Sequence, residues 1–429
     1  MFLERLQMLR SLFVDMNAFF ASAEQHCHPR YRGRPLVVVP VDSDSTSCVA
    51  VSYEARPFGI RTGTNVGEAR RLCPSLIVVP SRTEYYVQLH HQIVEAVERV
   101  IPVTQVWSID EMVCRLWSED RPPESARALG MQVKASIRDH VGPALKCSVG
   151  IAPNAWLAKV ASDMQKPDGL TMILLEELPD RLDKLELRDL PGVGVNMEKR
   201  LQAAGIFTVR DLCSRTESEL VQAWGSIVGA RWWHQLRGEQ VDTPPTRTQS
   251  IGHEHVLPPI QRTAAGAHSV LTTLIHKAAA RARLSGYRAG KLSIDVRFVG
   301  TGEWRVTTRM SPQTHDTLSL VRAFERLWAA RPSDVNRYHI IKVSATLQDL
   351  RAEQAVPQPL FAEDRDLNTL SAAMDSINRK FGRHALVLGG MHDARDAAPD
   401  RIAFQSIPAL KPESPVPAPH GTRPRSFGW

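Results

Sequence analysis

Residues 103–116 read VTQVWSIDEMVCRL, two β-rich runs that close on the acidic pair Asp110-Glu111. In a flat strand, neighbouring side chains face opposite ways. These two carboxylates therefore reach one point only if a tight hairpin or bulge lies between the runs. A third acid, Asp15, closes the run SLFVD at 11–15. Burying a carboxylate is costly unless it is paired or bound to a metal, and no Lys or Arg adjoins either site in the chain. Three converging carboxylates repel one another, and hard oxygen donors at that charge favour Mg2+. Two such ions about 3.5–4 Å apart clamp an in-line phosphoryl transfer. Taken alone, an Asp-Glu pair at a hairpin also fits exposed turn acids.

Outward from the acids, strand-like and helix-like stretches alternate through residues 11–175. LVVVPV (36–41), SCVAVSY (47–53), LIVVP (76–80), KCSVGI (146–151) and GLTMIL (169–174) read as strands. Helical patterns cover Ala18–His26, Asn65–Cys73, Thr83–Ile101, Pro123–His140 and Asn154–Lys166. The third of these carries Tyr86, Leu89, Ile93, Val97 and Val100 at spacings of three or four, a buried stripe. Helices on a sheet make this an α+β or α/β unit. Residues 176–240 read as all-helical, with LPGVG at 190–194 between two helical patterns. RGEQVDTPPTRTQS (237–250) reads as a linker, since two prolines and few apolar residues build no core. A second mixed unit follows. It has helices near Ala264–Leu284 and Thr317–Ala330, and strands KLSIDVRFVG (291–300), EWRVTTRM (303–310) and YHIIKVSATLQDL (338–350). Beyond Ala352 the chain reads as linker with one amphipathic segment, Leu367–Phe381, and a last stretch, 397–429, holding seven prolines.

Composition narrows the class. A chain of 429 residues, 43% apolar and 23% charged, is long enough for several cores and too apolar for wholesale disorder. No run approaches the ~18 uncharged apolar residues of a membrane span. The first residues, MFLERLQMLRSLFVDMN, lack the pattern of a secretory signal. Six cysteines without a CxxC pair fit reduced thiols and a cytoplasmic setting. From Gln249 to Leu350 there are 14 Lys+Arg against seven Asp+Glu, an excess equal to the +7 of the whole chain. Such a block points to a polyanion, nucleic acid or a membrane surface.

Four stretches in order, VDMNAFFASAE (14–24), YEARPFGIRTG (53–63), SIDE (108–111) and GIAPNAWLAKVASDMQKPDG (150–169), closely resemble the Y-family, or translesion, DNA polymerases of the DNA polymerase IV and UmuC type. The resemblance spans roughly residues 10–390. It implies an α+β multidomain fold. The palm sheet with its helices falls at 1–18 and 81–175, with small embedded fingers at 19–80. An all-helical thumb with a helix-hairpin-helix covers 176–240, then a linker at 241–248 and a separate α/β little finger at 249–350. A C-terminal linker, short helix and Pro-rich tail fill 351–429.

By position, the resemblance makes Asp15, Asp110 and Glu111 the catalytic acids. The same three, with the Met16 carbonyl, hold two Mg2+ ions. Phe20 matches the steric gate against a ribose 2′-hydroxyl, and Tyr53, Arg56 and Lys166 match the residues on the incoming triphosphate. That suits a forked guanidinium and a point-charge amine. Gly192 and Gly194 of the PGVG turn let a helix N-terminus approach a DNA phosphate. Arg297, Arg305, Arg309 and Lys342 of the basic unit are expected phosphate contacts. PQPLF (357–361) faintly resembles a sliding-clamp peptide, through Gln358, Leu360 and Phe361, with the glutamine one place off.

The expected function is a low-fidelity, Mg-dependent DNA polymerase that copies past damage without 3′-5′ proofreading. Its partners are primer-template DNA and dNTPs, and it works as a monomer in the cytoplasm on the nucleoid. Three positions depart from the family pattern: Asn17 for a second aspartate, Ala155 for a lysine, and Ala50 for a small hydroxylated residue. The alternative readings are a catalytically weak DNA-binding accessory paralogue and a palm-type nucleotidyl cyclase. The surviving acids speak against the first, and the helix-hairpin-helix with its basic unit against the second.

Overall fold

The computed structural model describes residues 9–242, 248–300, 302–357, 362–381, 385–389 and 391, without the side chains of 362–366. In chain order the first part runs β1 (Ser11–Met16), α1 (Phe19–Cys27), β2 (Leu36–Val39), β3 (Ala50–Val51), α2 (Val66–Leu72), β4 (Ile77–Pro80) and α3 (Thr83–Glu98). It continues through β5 (Val103–Val106), β6 (Glu111–Arg115), α4 (Pro123–His140), β7 (Cys147–Ala152), α5 (Ala155–Met164) and β8 (Leu170–Met172). Then come α6 (Val195–Ala203), α7 (Val209–Ser214), α8 (Glu217–Trp224) and α9 (Val228–Leu236). The last part is β9 (Ser250–Val256), α10 (Ala264–Leu284), β10 (Tyr287–Phe298), β11 (Glu303–Thr314), α11 (Thr317–Ala329), α12 (Asp334–Arg337), β12 (Ile340–Ala352) and α13 (Ala362–Phe381).

β1 lies at the centre of a sheet ordered β5-β6-β1-β7-β8, antiparallel to both neighbours. Period-two alternation divides its faces. Leu12, Val14, Met112, Cys114, Val149 and Ile151 turn to one side and pack with α1, α3 and α4. Phe13 and Val113 turn to the other, where α5 lies, and so do Asp15 and Glu111, two residues along their strands. α5 comes close because β7 carries Gly150 there: a Cβ would stand 1.9 Å from the Ala158 carbonyl oxygen. Gly150→Ala is therefore expected to destabilise the fold by about 1–3 kcal/mol or more, read as a lowered thermal midpoint. An unchanged midpoint would mean that α5 can shift freely on the sheet.

The α5 face also holds the helical segment α6–α9. Trp156 and Leu157 share one apolar cluster with Leu201, Leu212, Leu220 and Trp232. Asn154 caps α5 through Leu157 N (2.8 Å), while its amide donates to the carbonyls of Gln235 (2.9 Å) and Glu239 (3.0 Å). A small sheet, β3-β2-β4, has its own core with α2. The last part is an antiparallel sheet, β11-β10-β12-β9, with α10 and α11 packed on one face. It meets the small sheet's β2–β3 loop where Arg262 Nη1 donates to Ser45 Oγ at 2.6 Å.

Several sequence expectations change. SCVAVSY yields only the two residues Ala50–Val51 as strand. A strand not expected from the sequence follows the linker: Ser250–Val256 is the edge strand β9, paired with β12. The polar SIGHEHV hides this: one face is solvated and only Ile251 and His255 are buried. LPGVG follows a single 3₁₀ turn, Leu187–Asp189, rather than a full helix. The C-terminal amphipathic segment is longer than read. It is the helix α13, fixed to the sheet unit where Arg283 pairs with Asp375 (2.6 and 2.8 Å) and Ser371 Oγ donates to Asp316 Oδ1 at 2.7 Å. Gln358, Leu360 and Phe361 lie outside the described residues. Among the described residues all six cysteines are free, and no helix is long and apolar enough to cross a membrane.

Candidate active site

Asp15 and Glu111 are register partners across β1 and β6, so their side chains stand side by side. The sharp chain reversal that the Asp110-Glu111 pair demands is present. Trp107 N and Ser108 N both donate to the Glu111 carbonyl (2.9 and 3.2 Å), and Met16 N donates to the Asp110 carbonyl at 2.9 Å. Asp110 thus sits in the turn, outside the strand's alternation. Its carboxyl is pushed up to about 6, first by burial and then by Asp15 and Glu111, against the pull of Ser108. Ser108 Oγ donates to Asp110 Oδ1 at 2.5 Å and to Glu111 Oε2 at 3.4 Å. The turn is steadied from behind by His90, whose Nδ1 donates to the Ile109 carbonyl at 2.7 Å. Burial keeps that imidazole below its ordinary pKa and therefore neutral.

Positive charge reaches the acids from α5 and the loop after it. Lys159 Nζ lies between Asp15 and Glu111, 2.8 Å from Glu111 Oε1, and touches Asp163 Oδ1 at 3.1 Å. Lys166 Nζ stands 2.7 Å from Asp15 Oδ2 and 2.8 Å from Asp163 Oδ1. Burial opposes the Lys159 ammonium, but Asp15, Asp163 and Glu111 outweigh it and hold the amine above the usual lysine range. Among the described residues no three acidic, histidine or cysteine side chains are arranged around a point that could hold a metal ion. The reason is local: Lys159 draws Asp15 and Glu111 to itself while Asp110 turns onto Ser108. The donors are all carboxylate oxygens, and an ammonium already rests between two of them. The set therefore fits hard divalent cations.

Lys159 and Asp163 were not among the residues singled out from sequence, although AWLAKVASDMQK places them one turn apart on the helix that runs into Lys166. Asn17, the first departure, stitches the strand ends together: its amide donates to Ser148 Oγ (3.0 Å) and its oxygen accepts from Asp168 N (2.7 Å). Two residues on from Ala50, the Ser52 hydroxyl accepts from Leu36 N at 3.1 Å.

Tyr53 and Arg56 come from the small sheet's loop. The Arg56 guanidinium lies 3.9 Å from the Tyr53 ring centre. The Tyr53 hydroxyl is buried with no hydrogen-bond partner among the described residues, and Lys166 and Asp15 are near enough to act on its charge. A buried hydroxyl beside two cations has the chemistry of an anion contact. Phe19 is in the core, whereas Phe20 is half-buried and stacked on Tyr86, rings 4.5 Å apart and 13° from parallel.

Strand register settles the faces of the basic unit. Lys291 pairs with Arg309, Asp295 with Arg305 and Arg297 with Lys342, so Arg297, Arg305, Arg309 and Lys342 all stand on the sheet face away from α10 and α11. Three of the four are held by acids: Arg305 Nε by Asp295 (2.7 Å), Lys342 by Glu254 (2.6 Å) and Arg297 by Glu303 (3.8 Å). Gly192 has φ +102°, with Trp232 3.3 Å from where a Cβ would be, and Gly194 begins α6 without a side-chain cap.

Residues 14–163 match the impB/mucB/samB family, 188–240 the DNA polymerase-iota thumb domain, and 248–360 the impB/mucB/samB family C-terminal domain. A DNA polymerase IV of Pelotomaculum thermopropionicum is 31% identical over 388 residues, 88% of this chain and 94% of that protein. One of Xanthomonas euvesicatoria is 37% identical over 249 residues, 58% of this chain and 68% of that protein. Among solved structures, a Y-family DNA polymerase chimera shares the fold with a TM-score of 0.65 at 24% identity, over 80% of this chain and 99% of that one. An insertion ternary complex of Dbh DNA polymerase aligns with a TM-score of 0.51 at 24% identity, over 79% and 98%. With nearly the whole length of a DNA polymerase IV matched in order, this chain belongs to the impB/mucB/samB family and is a DNA-directed DNA polymerase of the Y family.

Proposed function

We propose that this polymerase extends a primer across damaged template positions, with low fidelity, no proofreading step and Mg2+ as its cation. The observation that carries it is a convergence. Asp15, the Asp110-Glu111 turn, the Tyr53–Arg56 loop and Lys166 are scattered over 150 residues of sequence and meet at the open end of β1. In this reading the β5-β6-β1-β7-β8 sheet is the palm, the β3-β2-β4 unit the fingers, α6–α9 the thumb, and the β9–β12 sheet the little finger.

Asp15, Asp110, Glu111 and the Met16 carbonyl hold the cations. When bound, these supply the charge that steadies an attacking 3′-oxygen and a leaving pyrophosphate. Arg56 presents a two-pronged donor to the triphosphate of a dNTP, and Tyr53 adds a hydroxyl. Lys166 leaves Asp15 to add its charge to the same phosphates. Phe20 fills the volume under C2′ of the incoming sugar. Primer-template DNA lies along the Gly192–Gly194 turn and the outer face of the last sheet. The small three-stranded unit supports the low-fidelity reading, because its short strands leave little surface to test the shape of a nascent pair.

The test is primer extension by the single chain on matched templates, intact or bearing one abasic site. Full-length product on both is expected, with mismatched 3′ ends left undegraded. A stop one nucleotide before the lesion sinks the bypass reading.

A further inference from the structure

Helices α1 and α3 meet through interlocked contacts. On α1, Phe20 and Glu24 are four residues apart. At the start of α3, Arg82 and Tyr86 are also four apart, so each pair shares a helix face. Phe20 stacks on Tyr86. Glu24, with none of its surface exposed, accepts from Arg82 Nε at 2.9 Å, from Arg82 Nη2 at 2.7 Å and from Tyr86 Oη at 2.8 Å. The same guanidinium lies 4.6 Å from the Tyr85 ring centre. The polymerase chemistry uses neither Glu24 nor Arg82. A carboxylate buried so completely is expensive to maintain, and a register role is the best-attested use of such a pair.

We infer that the buried Glu24–Arg82 pair sets the sugar selectivity of the enzyme by fixing Tyr86 as the backing wall of Phe20. This rests on the reading of Phe20 as the ring that excludes a 2′-hydroxyl. Such a ring discriminates by overlap, and overlap vanishes if the ring can retreat: a radial gap of about 0.5–1 Å already forfeits much of a van der Waals contact. Phe20 is half-buried, and its ring rests on Tyr86. Tyr86 cannot tilt without stretching its bond to Glu24, and Glu24 cannot follow because Arg82 grips both of its oxygens. Apolar packing alone has no such directionality. Glu24, Arg82 and Tyr86 are thus positioning residues, acting on the sugar only through Phe20.

The experiment is single-nucleotide insertion by the full chain, with kcat and KM measured for a dNTP and the matching ribonucleotide. Tyr86→Phe removes one oxygen and keeps the stack and the ion pair, so it reports even where Glu24→Gln folds poorly. Both variants are expected to raise ribonucleotide use relative to dNTP about five- to tenfold, with dNTP kcat/KM within about threefold of wild type. Phe20→Ala should relax the ratio by ~10-fold or more, and the Phe20→Ala/Tyr86→Phe double variant no further, since both changes act at one place. An unchanged ratio in Tyr86→Phe and Glu24→Gln, beside a relaxed Phe20→Ala, overturns the positioning role. So does additive relaxation in the double variant. An unchanged ratio in Phe20→Ala itself instead overturns the reading of that ring.

Discussion

Asp110→Ala is expected to abolish primer extension, with the insertion rate falling ~10³-fold or more, which corresponds to about 4 kcal/mol of transition-state stabilisation. Affinity for primer-template DNA stays within about twofold, because a carboxylate in the sheet's turn contributes nothing to phosphate contacts. Asp15→Ala and Glu111→Ala behave alike, since each removes one oxygen pair from the same cluster. Loss of fold does not account for the result. The Asp110 carboxyl titrates at about 6 in the folded chain, above the ordinary aspartate value. Because that value is raised, stability is lost as pH rises from the ordinary aspartate value through about 6, and above that the ionised carboxyl is a net cost to the fold. At pH 8 the alanine variant is therefore expected to melt no earlier than wild type. Single-turnover insertion, fluorescence anisotropy on DNA and a thermal melt check the three parts. A wild-type insertion rate in Asp110→Ala removes that residue from the chemistry.

Replacing Arg297, Arg305, Arg309 and Lys342 together by glutamine is expected to lower affinity for duplex primer-template DNA ~10²-fold at 50 mM salt and to flatten its salt dependence. Each lost phosphate contact takes about 0.9 from the slope of log affinity on log salt, so four take about 3.6. The acids that hold three of these cations do not prevent this. Arg305 and Arg297 pair with Asp295 and Glu303 on an open face, where water screens such pairs and a phosphate displaces the carboxylate readily. Arg309 has no ion pair among the described residues and is expected to give the largest single effect. Binding measured across a salt series on the full chain decides the matter. An unchanged slope means that the face is neutralised by its own acids and only solvated.

Most of the fold was legible because its elements carry their own periodicity. α4 spans Pro123–His140 and α10 Ala264–Leu284, as their patterns indicate. β9 escaped because an edge strand with one solvated face needs few apolar residues, and a neighbouring Thr-Pro-Pro run masks its start. SCVAVSY overpromised because its β-branched and apolar residues serve a small core in loop conformation rather than a ladder.

At the site, the three acids and the residues flanking them were readable from strand ends and motif order. Their counter-charges were not. Lys159 meets Asp15 across 144 positions of sequence, and only the close approach that Gly150 permits brings it there. Tyr86 looked like one more member of a buried stripe. Its hydroxyl and its partner Glu24 lie on different helices, and no single-helix pattern displays that.

The apolar seam between the catalytic sheet and α6–α9 bears on how a duplex enters. Phe13, Trp156, Leu201 and Trp232 belong to one continuous packing, and the α5 cap is tied to two carbonyls at the far end of α9. Dense interiors resist sliding and do not serve as hinges. The helical grip is therefore one casting with the sheet that holds the acids and does not swing aside to admit a template. The β9–β12 body is built differently, with a core of its own and polar contact to the rest at Arg262 and Ser45. Bonds of that kind exchange with water at little net cost, so this polar seam resists separation less than the apolar one does.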